Sequence, residues 1–578
     1  MTQFPASVPN AWRLPKRLAY VVDHSLPYSS DGYAVRTHEI SRAMVECGFD
    51  VVVFNRPGRP WDIPGFDLSI KVPLDMTLEG VRYIFLPSFD QPSPSPRDQL
   101  GSGERALHEA MQVFRPAAIM AASNWENARP AANVARRLCI PFLYEIRGFW
   151  EMSRAASDPD YSETSEYQNH RMQEADVANG AMAVLTLTEA MRTELVRRGV
   201  APERIRLVPN GVRSRPPQAP ILRRSHIRCE TKHLLGYVGS LSAYEGVDDL
   251  VRLTALMRGE GTDVAALIVG SGAPAGVTKT DSDDQAVTSL KKLARELGVA
   301  DYIHFIPRIP WNNVGGYYAL CDAIIIPRRR SKVTEIVAPL KPYDAAAYGV
   351  PVFMSDIPLL QNLAADIHAS LFREGDLADL ADQLRQCFGN SHAMVVDAIP
   401  KGSYWRERIR PLAGMMTSIS AEELVRQNAQ AVNSTALNVG VPLFDLEAIP
   451  EAVFAPERVL QVAGIGPCRK QRGRASSFTA LTRSNLHSHL ALAPPGIFVV
   501  DWAGLQSVTI ESQYDEWAEL WTIADMRMNR QMMDACRIAV SRGWRLVVLG
   551  PIHGSTAPLF RTVSGLFEVI TPFEEELI

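Results

Sequence analysis

Charged side chains that could bind a phosphate group are concentrated in one short stretch of the chain, residues 328–344. Arg328 opens this stretch, two more arginines and a lysine follow, and Lys341 stands directly before Pro342. Pro342 predicts the start of a helix, because proline is favoured in the first helical turn. A helix N-terminus beside a lysine can cradle a diphosphate. We therefore expect Arg328 and Lys341 to bind a diphosphate group.

Two carboxylates stand on either side of Lys341 in this stretch. Glu335 lies on the predicted loop, where it could meet sugar hydroxyls, and Asp344 lies in the first turn of the predicted helix. From there Asp344 could accept hydrogen bonds from ribose hydroxyls, since an ionised carboxylate is an acceptor. The alternative interpretation is a solvated basic loop followed by an acidic helix start, which the helix dipole favours.

Two turns of small residues follow predicted strands and open onto predicted helices. One contains Gly32, and the other begins with Gly239 and Ser240. Small residues let backbone N–H groups approach an anion closely, and a helix N-terminus adds a positive dipole end. These turns could therefore contact a phosphate or sugar hydroxyls. The plain alternative is an ordinary strand-to-helix turn, with Asp31 or Ser30 as the N-cap in the first case.

A third turn, at residues 144–151, carries Arg147 shortly after a predicted strand. The forked donors of arginine suit a phosphate or a carboxylate. The position after a strand points the side chain towards a ligand site at the edge of a sheet. The alternative is a surface ion pair between Arg147 and Glu151, which would contribute little to stability.

Short apolar, β-branched runs alternate with helical patterns from residue 18 onward, which predicts parallel sheets covered by helices on both faces. The first series of predicted strands covers 18–23, 50–55, 82–87, 117–122, 141–146, 183–187 and 204–208. A second series covers 233–238, 264–269, 302–306, 322–326 and 351–354. Ligands of such doubly wound sheets bind at the carboxyl ends of the strands. We therefore expect two Rossmann-like α/β domains that face each other across a ligand-binding cleft.

This pattern also sets the predicted domain boundaries. An N-terminal domain covers 1–212 and a second domain covers 213–417, whose last helix, about 404–417, is placed to pack back on the first. A polar linker is expected at 418–440 and an additional α/β domain at 441–578. The elements predicted in this last domain are strands at 457–462, 496–501 and 544–549, a loop at 472–489 and a helix at about 514–542.

Composition excludes several classes of function. The formal net charge is -4, whereas a nucleic-acid-binding domain normally shows a basic surface. The seven cysteines are widely spread, without metal-ligand spacing, which favours reduced thiols. The sequence begins without the apolar region of a signal peptide and has no run of about 18–20 apolar residues. We expect a cytoplasmic protein, with peripheral contact to the inner face of the plasma membrane as an option through the basic run at 469–474.

Several of these segments together resemble one family. Residues 334–344 resemble the Thr-Glu-x-Val-x-Pro-Leu-Lys-Pro motif of a bacterial branch of that family, with Asp344 in place of the usual Glu. The resemblance extends to segments 144–151, 186–192, 209–212 and 236–241. Over about residues 15–417 the chain is thus similar to the GT-B glycosyltransferases of family 4, which retain the anomeric configuration of the donor sugar.

The resemblance implies a nucleotide-sugar donor and a glycan or lipid-linked acceptor, with no nucleic acid partner and no metal or other cofactor. It implies catalytic roles for Glu335, Arg147 and Lys341. It implies donor-binding roles for Gly32, Gly239, Ser240, Pro307, Arg308, Arg328, Lys341 and Asp344. Many relatives have Arg and Lys where this chain has Ser240 and Glu245. Phosphate binding is therefore expected to depend on Lys341 and the arginines at 328–330.

The function expected from these observations is transfer of a hexose from a nucleotide sugar to a growing bacterial surface polysaccharide or lipid-linked glycan. Two alternatives remain open on the sequence. One is a nucleotide-sugar epimerase or hydrolase of the same fold. The other is a degenerate transferase that serves as a binding or scaffold subunit. The domain at 441–578 is left with three possible roles, namely acceptor binding, docking of a partner, or self-association.

Overall fold

The chain folds into two compact units, one containing residues 1–107 and 116–425 and the other containing 108–115 and 426–578. The computed structural model describes residues 13–63, 66–86, 103–108, 110–111, 114–214, 221–272, 284–389, 399–422, 461–465, 477–502, 505, 517, 520, 526–549, 563 and 566–570. The linker predicted at 418–440 lies outside these residues from 423 onward, and so do the strand start at 457–460 and the basic run at 469–474.

The first unit begins with an eight-stranded sheet of order β3-β4-β2-β1-β5-β6-β7-β8. Every neighbouring pair is parallel except β3 and β4. Its strands are β1 Arg17–Val22, β2 Asp50–Asn55, β3 Asp75–Leu78, β4 Val81–Ile84, β5 Ala118–Ala122, β6 Phe142–Ile146, β7 Ala183–Thr186 and β8 Ile205–Leu207. All of β1 and β5 is buried, as expected for central strands covered on both faces.

Helices pack on both faces of this sheet. They are α1 Gly32–Glu46, α2 Trp125–Arg137, α3 Trp150–Ala155, α4 Ser165–Gly180 and α5 Glu189–Arg197. Three of them begin at a side chain that accepts a hydrogen bond from the first turn, namely Asp31, Thr164 and Thr188. Such N-caps satisfy backbone donors that the helix itself leaves unpaired. The N-cap alternative for Asp31 is therefore correct as a description of the local structure.

A second sheet in the same unit has six parallel strands in the order β11-β10-β9-β12-β13-β14. Its strands are β9 His233–Val238, β10 Val264–Val269, β11 Ile303–Ile306, β12 Ala323–Ile326, β13 Val352–Ser355 and β14 Ser370–Phe372. Its helices are α6 Val247–Gly259, α7 Gln285–Glu296, α8 Val314–Tyr318, α9 Lys341–Ala347, α10 Pro358–Ile367 and α11 Leu377–Gly389. The strand order reverses direction between β9 and β12, which makes that point a topological switch point.

The chain then returns to the first sheet through two helices, α12 Trp405–Arg408 and α13, residues 410–422. A short parallel bridge pairs Val212 with Tyr404, just before α12. Trp405, Ile409, Leu412, Met416 and Ile419 belong to the same buried cluster as Leu18, Tyr20 and Val53 of the first sheet. The core of the first sheet is thus completed by residues that follow the second sheet.

The second unit contains a separate parallel sheet of order β16-β15-β17-β18-β19. Its strands are β15 Gln461–Ile465, β16 Ser477–Ala480, β17 Ile497–Asp501, β18 Arg545–Leu549 and β19 Glu568–Ile570. The helices described with it are α14 Leu486–Leu492 and α15 Met526–Arg542. The predicted loop at 472–489 is wrong, because β16 and the start of α14 lie there.

The doubly wound α/β fold class predicted from the alternating pattern is confirmed. Strands β3, β14, β16 and β19, each at the edge of its sheet, were not predicted. Strand β3 is partly exposed, and β14 and β19 are only three residues long. Edge strands lack the continuous apolar run that marks a central strand. Among the described residues, no helix is both long and apolar enough to cross a membrane.

Leu412→Ala tests whether α13 is part of the first sheet's core. Leu412 is fully buried, so its replacement by alanine leaves a cavity. This cavity should lower the free energy of unfolding by about 2–5 kcal/mol and the thermal unfolding midpoint of the first unit by several degrees. Arg410→Ala, in the same helix with a side chain 74 % exposed, is the matched control and should change the midpoint little. Equal midpoints for the two variants would contradict the packing described here.

Candidate functional site

A cleft of about 710 Å³ is lined by loops that follow the strands of both sheets in the first unit. This volume lies in the range of about 300–1,000 Å³ typical of small-molecule sites. From the first sheet it receives Asp23 and His24 after β1 and Arg147 after β6. From the second sheet it receives Gly239 after β9 and Arg308 after β11. Both sheets therefore present their carboxyl edges to one cleft.

The turn after β9 lies against the first residue of α9. A Cβ atom at Gly239 would stand 1.9 Å from Cε of Lys341, and one at Gly270 would stand 1.8 Å from the Gly239 carbonyl oxygen. Neither position has room for a side chain. The Tyr237 hydroxyl donates a hydrogen bond of 2.6 Å to the carbonyl oxygen of Ser240, which holds the turn in this conformation. The absence of a side chain at Gly239 thus lets Lys341 reach over the turn into the cleft.

Lys341 does not stand alone at this turn. Its Nζ lies 3.0 Å from Oε1 of Glu245, and Nη2 of Arg328 lies 2.9 Å from the same oxygen. Burial by itself would raise the pKa of Glu245, but Arg328 and Lys341 lower this pKa to about 2. Burial lowers the pKa of Lys341, and the nearby Arg328 acts in the same direction. Glu245 is therefore a buried anion that orders two cations beside the cleft.

Arg308 contributes a further cation to this wall. One of its terminal nitrogens donates a hydrogen bond of 3.3 Å to the carbonyl oxygen of Ser271. Its charge helps to lower the pKa of Lys341, and it also acts on Asp31, at the N-terminus of α1. Burial would raise the pKa of Asp31, but His24, a backbone hydrogen bond and Arg308 lower it to about 2. Arg308 on one wall of the cleft and Asp31 on the other thus attract each other electrostatically.

Asp344, one helical turn beyond Lys341, also lines the cleft. Burial raises the pKa of its carboxyl to about 7, and the nearby charge of Glu39 acts in the same direction. Among the described residues, its carboxylate makes no hydrogen bond or close ion pair. Asp344 is half-buried, so its acceptor oxygens, which have no protein partner among the described residues, are open to a ligand.

The opposite wall is built on a buried charge network around Glu145, which is 1 % exposed. Nε of Arg36 donates to one of its oxygens at 2.8 Å and Nε of Arg147 to the other at 2.9 Å. Arg147 also donates to the backbone oxygen of Tyr33 at 2.7 Å and to the hydroxyl of Thr37 at 2.9 Å. These bonds fix Arg147 in the cleft wall and use most of its donors.

The same network reaches the segment that joins the two sheets. Arg36 donates through Nη1 to Oδ1 of Asn210 at 2.8 Å and through Nη2 to the carbonyl oxygen of Val208 at 2.7 Å. The side-chain amide of Asn210 donates in turn to the carbonyl oxygen of Ala338, at 3.1 Å, on the loop before α9. Asn210 therefore joins the charge network of the first wall to the loop before α9.

Asp23 and His24 are cleft residues that the sequence reasoning missed. Nδ1 of His24 lies 2.9 Å from Asp23 and Nε2 lies 2.9 Å from Asp31. Burial would lower the pKa of His24, but the two carboxylates raise it to about 9. With a carboxylate at each nitrogen, His24 is held as an imidazolium. The available signal was their place directly after β1, at the carboxyl edge of a buried strand.

Two family models match the first unit. Residues 31–211 match the description "Glycosyl transferase 4-like domain", and residues 219–398 match "Glycosyl transferases group 1". Most residues that line the cleft lie within one of the two matched segments, and the exceptions are Asp23, His24, Ser30 and Arg213. The chain is a glycosyltransferase with the GT-B fold. Residues 426–578 of the second unit lie beyond both matched segments, whereas its residues 108–115 fall within the first.

Individual relatives of the glycosyltransferase agree with these matches. Two proteins named D-inositol 3-phosphate glycosyltransferase are similar over most of their length. The one from Acidothermus cellulolyticus is 26 % identical over 62 % of this chain and 80 % of its own. The one from Frankia alni is 24 % identical over 71 % and 96 %. Sucrose-phosphate synthase from Thermosynechococcus elongatus has a similar fold, with a TM-score of 0.51 and 19 % identity, covering 72 % of this chain and 99 % of that chain.

The structure of the glycosyltransferase brings most of the predicted site residues to the cleft. Those that line it are Gly32, Arg147, Gly239, Ser240, Arg308, Lys341 and Asp344. Three predicted residues do not line it, namely Pro307, Arg328 and Glu335. Arg328 lies behind the wall because Glu245 holds it there. Pro307 is exposed outside the lining.

Glu335 lies on the predicted loop before α9, within a local turn. Its N–H donates to the carbonyl oxygen of Ser331 at 3.0 Å, and the N–H of Val337 donates to that of Val333 at 2.8 Å. The chain therefore forms a compact turn here. The Glu335 side chain is 43 % exposed and lies 3.9 Å from Nε of Arg330. Glu335 therefore lies outside the cleft lining, and its contact with the donor sugar stays a prediction.

The raised pKa of Asp344 leads to a test of stability against pH. Because folding raises this pKa to about 7, the folded protein keeps a proton that the unfolded chain releases above about pH 4. The contribution of this group to the free energy of unfolding is complete below about pH 4 and is lost as the pH rises through 7. Asp344→Asn stays neutral at every pH. The difference in thermal unfolding midpoint between this variant and wild type should therefore grow as the pH is raised from about 4.5 to 8. Glu335→Gln is the exposed control, and a constant difference for Asp344→Asn would refute the assignment.

Proposed function

We propose that this glycosyltransferase moves a hexose from a nucleoside diphosphate sugar to a glycan or lipid-linked acceptor. The observation that carries the proposal is the approach of Lys341 to the Gly239 turn. This contact lies next to the switch point between β9 and β12, where doubly wound sheets bind nucleotides. A diphosphate at the turn could accept hydrogen bonds from backbone N–H groups and meet the charge of Lys341.

The donor would lie along the second sheet with its diphosphate between two cations, Lys341 and Arg308. Asp344 would accept hydrogen bonds from the ribose, which agrees with a carboxylate that has no protein partner. Since α9 is only seven residues long, side-chain charge rather than its dipole would provide most of the anion binding. The arginine at 328 would act through Glu245, by keeping Lys341 in place.

In the proposed reaction the acceptor hydroxyl oxygen forms a bond to the anomeric carbon as the bond from that carbon to the diphosphate oxygen breaks. The hydroxyl proton passes to the departing diphosphate. Attack from the face that the diphosphate leaves would retain the anomeric configuration and would need no protein nucleophile. Lys341 and Arg308 would stabilise the charge on the departing diphosphate, a role that does not require a metal ion.

The acceptor is proposed as a growing surface polysaccharide or lipid-linked glycan, made at the cytoplasmic face of the membrane. The relatives named D-inositol 3-phosphate glycosyltransferase suggest a different acceptor, at 26 % and 24 % identity. That acceptor therefore belongs in the same assays. The epimerase and hydrolase alternatives predict products that form without any acceptor.

A thermal-shift screen against UDP-, GDP-, dTDP- and ADP-sugars tests the donor. One nucleotide sugar should raise the unfolding midpoint most, since a ligand at 100 times its Kd stabilises by about 2.7 kcal/mol. Adenosine and free hexose are the controls for base or sugar alone. A protein whose midpoint moves with none of the nucleotide sugars would refute the proposed donor class.

Lys341→Met and Gly239→Ala test the diphosphate site directly. Removal of one charged hydrogen bond should weaken binding of the preferred nucleoside diphosphate about 10–100-fold. Gly239→Ala should act in the same direction, because its Cβ would displace the Lys341 side chain. The controls are Lys332→Met, an exposed residue of the loop before α9, and Gly402→Ala, where a Cβ meets nothing within 4 Å. Calorimetry showing wild-type affinity for Lys341→Met would remove Lys341 from the site.

A further inference from the structure

His24 is a cleft residue whose two ring nitrogens are both occupied. It lies two residues after β1, with Nδ1 2.9 Å from Asp23 and Nε2 2.9 Å from Asp31. The side chain is 11 % exposed. Only an imidazolium can donate a hydrogen bond to a carboxylate from each nitrogen. Neither nitrogen is left for a ligand, so an effect of His24 on the reaction has to pass through its two carboxylates.

Asp23 has other cations beside it. Nε of Arg56 lies 2.9 Å from one of its oxygens, and a terminal nitrogen of Arg59 lies 3.2 Å from the other. Both arginines also pair with Asp62. Two arginines and two aspartates therefore balance one another in this group. The charge of His24 is not needed to neutralise Asp23.

Asp31 depends on His24 for its charge balance. Among the described residues, the close ion pair of its carboxylate is with His24. Its second oxygen accepts a hydrogen bond of 2.9 Å from the N–H of Ala34, which is the N-cap bond of α1. Arg308, on the second wall, also acts on Asp31 electrostatically. With a neutral imidazole, the charge of Asp31 would be left to Arg308, a cation that the proposed diphosphate site requires.

The turn containing Asp31 lies next to the proposed diphosphate site. Gly32, the following residue, begins α1, and a Cβ placed there would lie 4.0 Å from Cβ of Leu340. Leu340 directly precedes Lys341, and Asp31 lines the same cleft as Lys341 and Arg308. Like charges repel more strongly where water is partly excluded. An unbalanced carboxylate at Asp31 would therefore oppose the entry of a diphosphate.

We propose that His24 is a positioning residue for donor binding, whose imidazolium neutralises Asp31 and so leaves Arg308 available to the diphosphate. His24 itself does not contact the donor. This inference rests on the proposed function, since it concerns the diphosphate site of the same cleft. It makes the charge of one residue on the first wall a condition for anion binding at the second wall.

His24→Gln tests the charge, because glutamine keeps a hydrogen-bond donor but is neutral. UDP, GDP, dTDP and ADP are each titrated into the full chain by calorimetry at pH 7. The nucleoside diphosphate that wild type binds best should bind this variant about tenfold more weakly, because Asp31 is left unbalanced. His226→Gln, an exposed histidine outside the cleft lining, is the matched control and should keep wild-type affinity.

Asp31→Asn separates charge balance from folding. Asparagine can still accept the N-cap hydrogen bond from Ala34, so the start of α1 is kept. This variant should bind at least as tightly as wild type, because the repelling charge is gone. The double variant Asp31→Asn with His24→Gln should recover affinity to within about threefold of wild type, since no carboxylate is left to neutralise there. A purely structural role of His24 would give no such recovery.

The pH dependence of binding provides a second test. Burial would lower the pKa of His24, but Asp31 and Asp23 raise it to about 9. Wild type therefore has the imidazolium at pH 7 and loses it as the pH rises through 9. The ratio of the wild-type affinity to that of His24→Gln should fall from about ten at pH 7 towards one at about pH 10. Burial also lowers the pKa of Lys341, but both proteins contain this lysine, so its titration cancels in the ratio.

The other charged groups that face His24 keep their charge over this range. Neighbouring cations lower the pKa values of Asp23 and Asp31 against the effect of burial, so both carboxyls stay ionised. Tyr33 of α1 has its ring centroid 4.6 Å from that of His24, and burial raises the pKa of its hydroxyl. Arginine side chains keep their proton, and those near the two carboxylates are Arg56, Arg59 and Arg308.

Four results would overturn the inference. They are wild-type affinity in His24→Gln at pH 7, weaker binding by Asp31→Asn than by wild type, no recovery in the double variant, and a ratio of affinities that stays constant from pH 7 to 10. If wild type binds one of the four nucleoside diphosphates, such a result refutes only the role of His24. If wild type binds none of them, the proposed function has failed as well.

A comparison without His24→Gln keeps the test decisive if that variant does not fold. The affinity of Asp31→Asn relative to wild type should rise about tenfold between pH 7 and 10, because only wild type has a carboxylate that loses its counter-ion. A relative affinity that does not change with pH would refute the proposed role of His24.

Discussion

The carboxylate of Glu145 holds the guanidinium groups of Arg36 and Arg147 inside the first unit. The Glu145 side chain is only 1 % exposed. Burial would raise the pKa of Glu145, but the two arginines lower it. Removing one member of a buried ion cluster costs about 3–5 kcal/mol, because the others lose their compensation. Through Arg36 the cluster fixes α1, and through Asn210 it reaches the loop before α9. Glu145 therefore connects the first wall of the cleft to the loop before α9.

Glu245 has a comparable place in the second wall, where it orders Lys341 and Arg328. Each wall therefore has a buried carboxylate that neutralises arginine or lysine side chains on the cleft border. The cations are positioned before any ligand arrives, so little reorganisation is needed when negative charge enters. Although Glu245 is an acid, this wall keeps its cations, because Lys341 and Arg328 lie against its carboxylate. Lys341 reaches the cleft because Gly239 has no side chain.

Much of the fold was predictable because central parallel strands are nearly continuous apolar runs, and the runs at 18–23 and 264–269 are of this kind. Edge strands β3 and β14 gave no such signal. Within the site, turn residues after strands were predicted because topology places them at one edge. Glu335 was predicted from its place on a loop and from the motif, and in the structure it lies in a hydrogen-bonded turn outside the cleft lining. His24 follows β1 directly, which was a signal, but its ion pairs with Asp23 and Asp31 form only in the folded chain.

The return of α12 and α13 to the first sheet has a consequence for synthesis of the chain. The core that includes Leu18 and Tyr20 also requires Trp405, Leu412 and Met416, nearly four hundred residues later. Domains generally fold as they emerge from the ribosome, N-terminal first. Here the first sheet lacks part of its apolar cover until α13 has left the exit tunnel. The exposed surface is then a natural target for chaperones, and a fragment ending with the second matched segment, at residue 398, would leave it uncovered permanently.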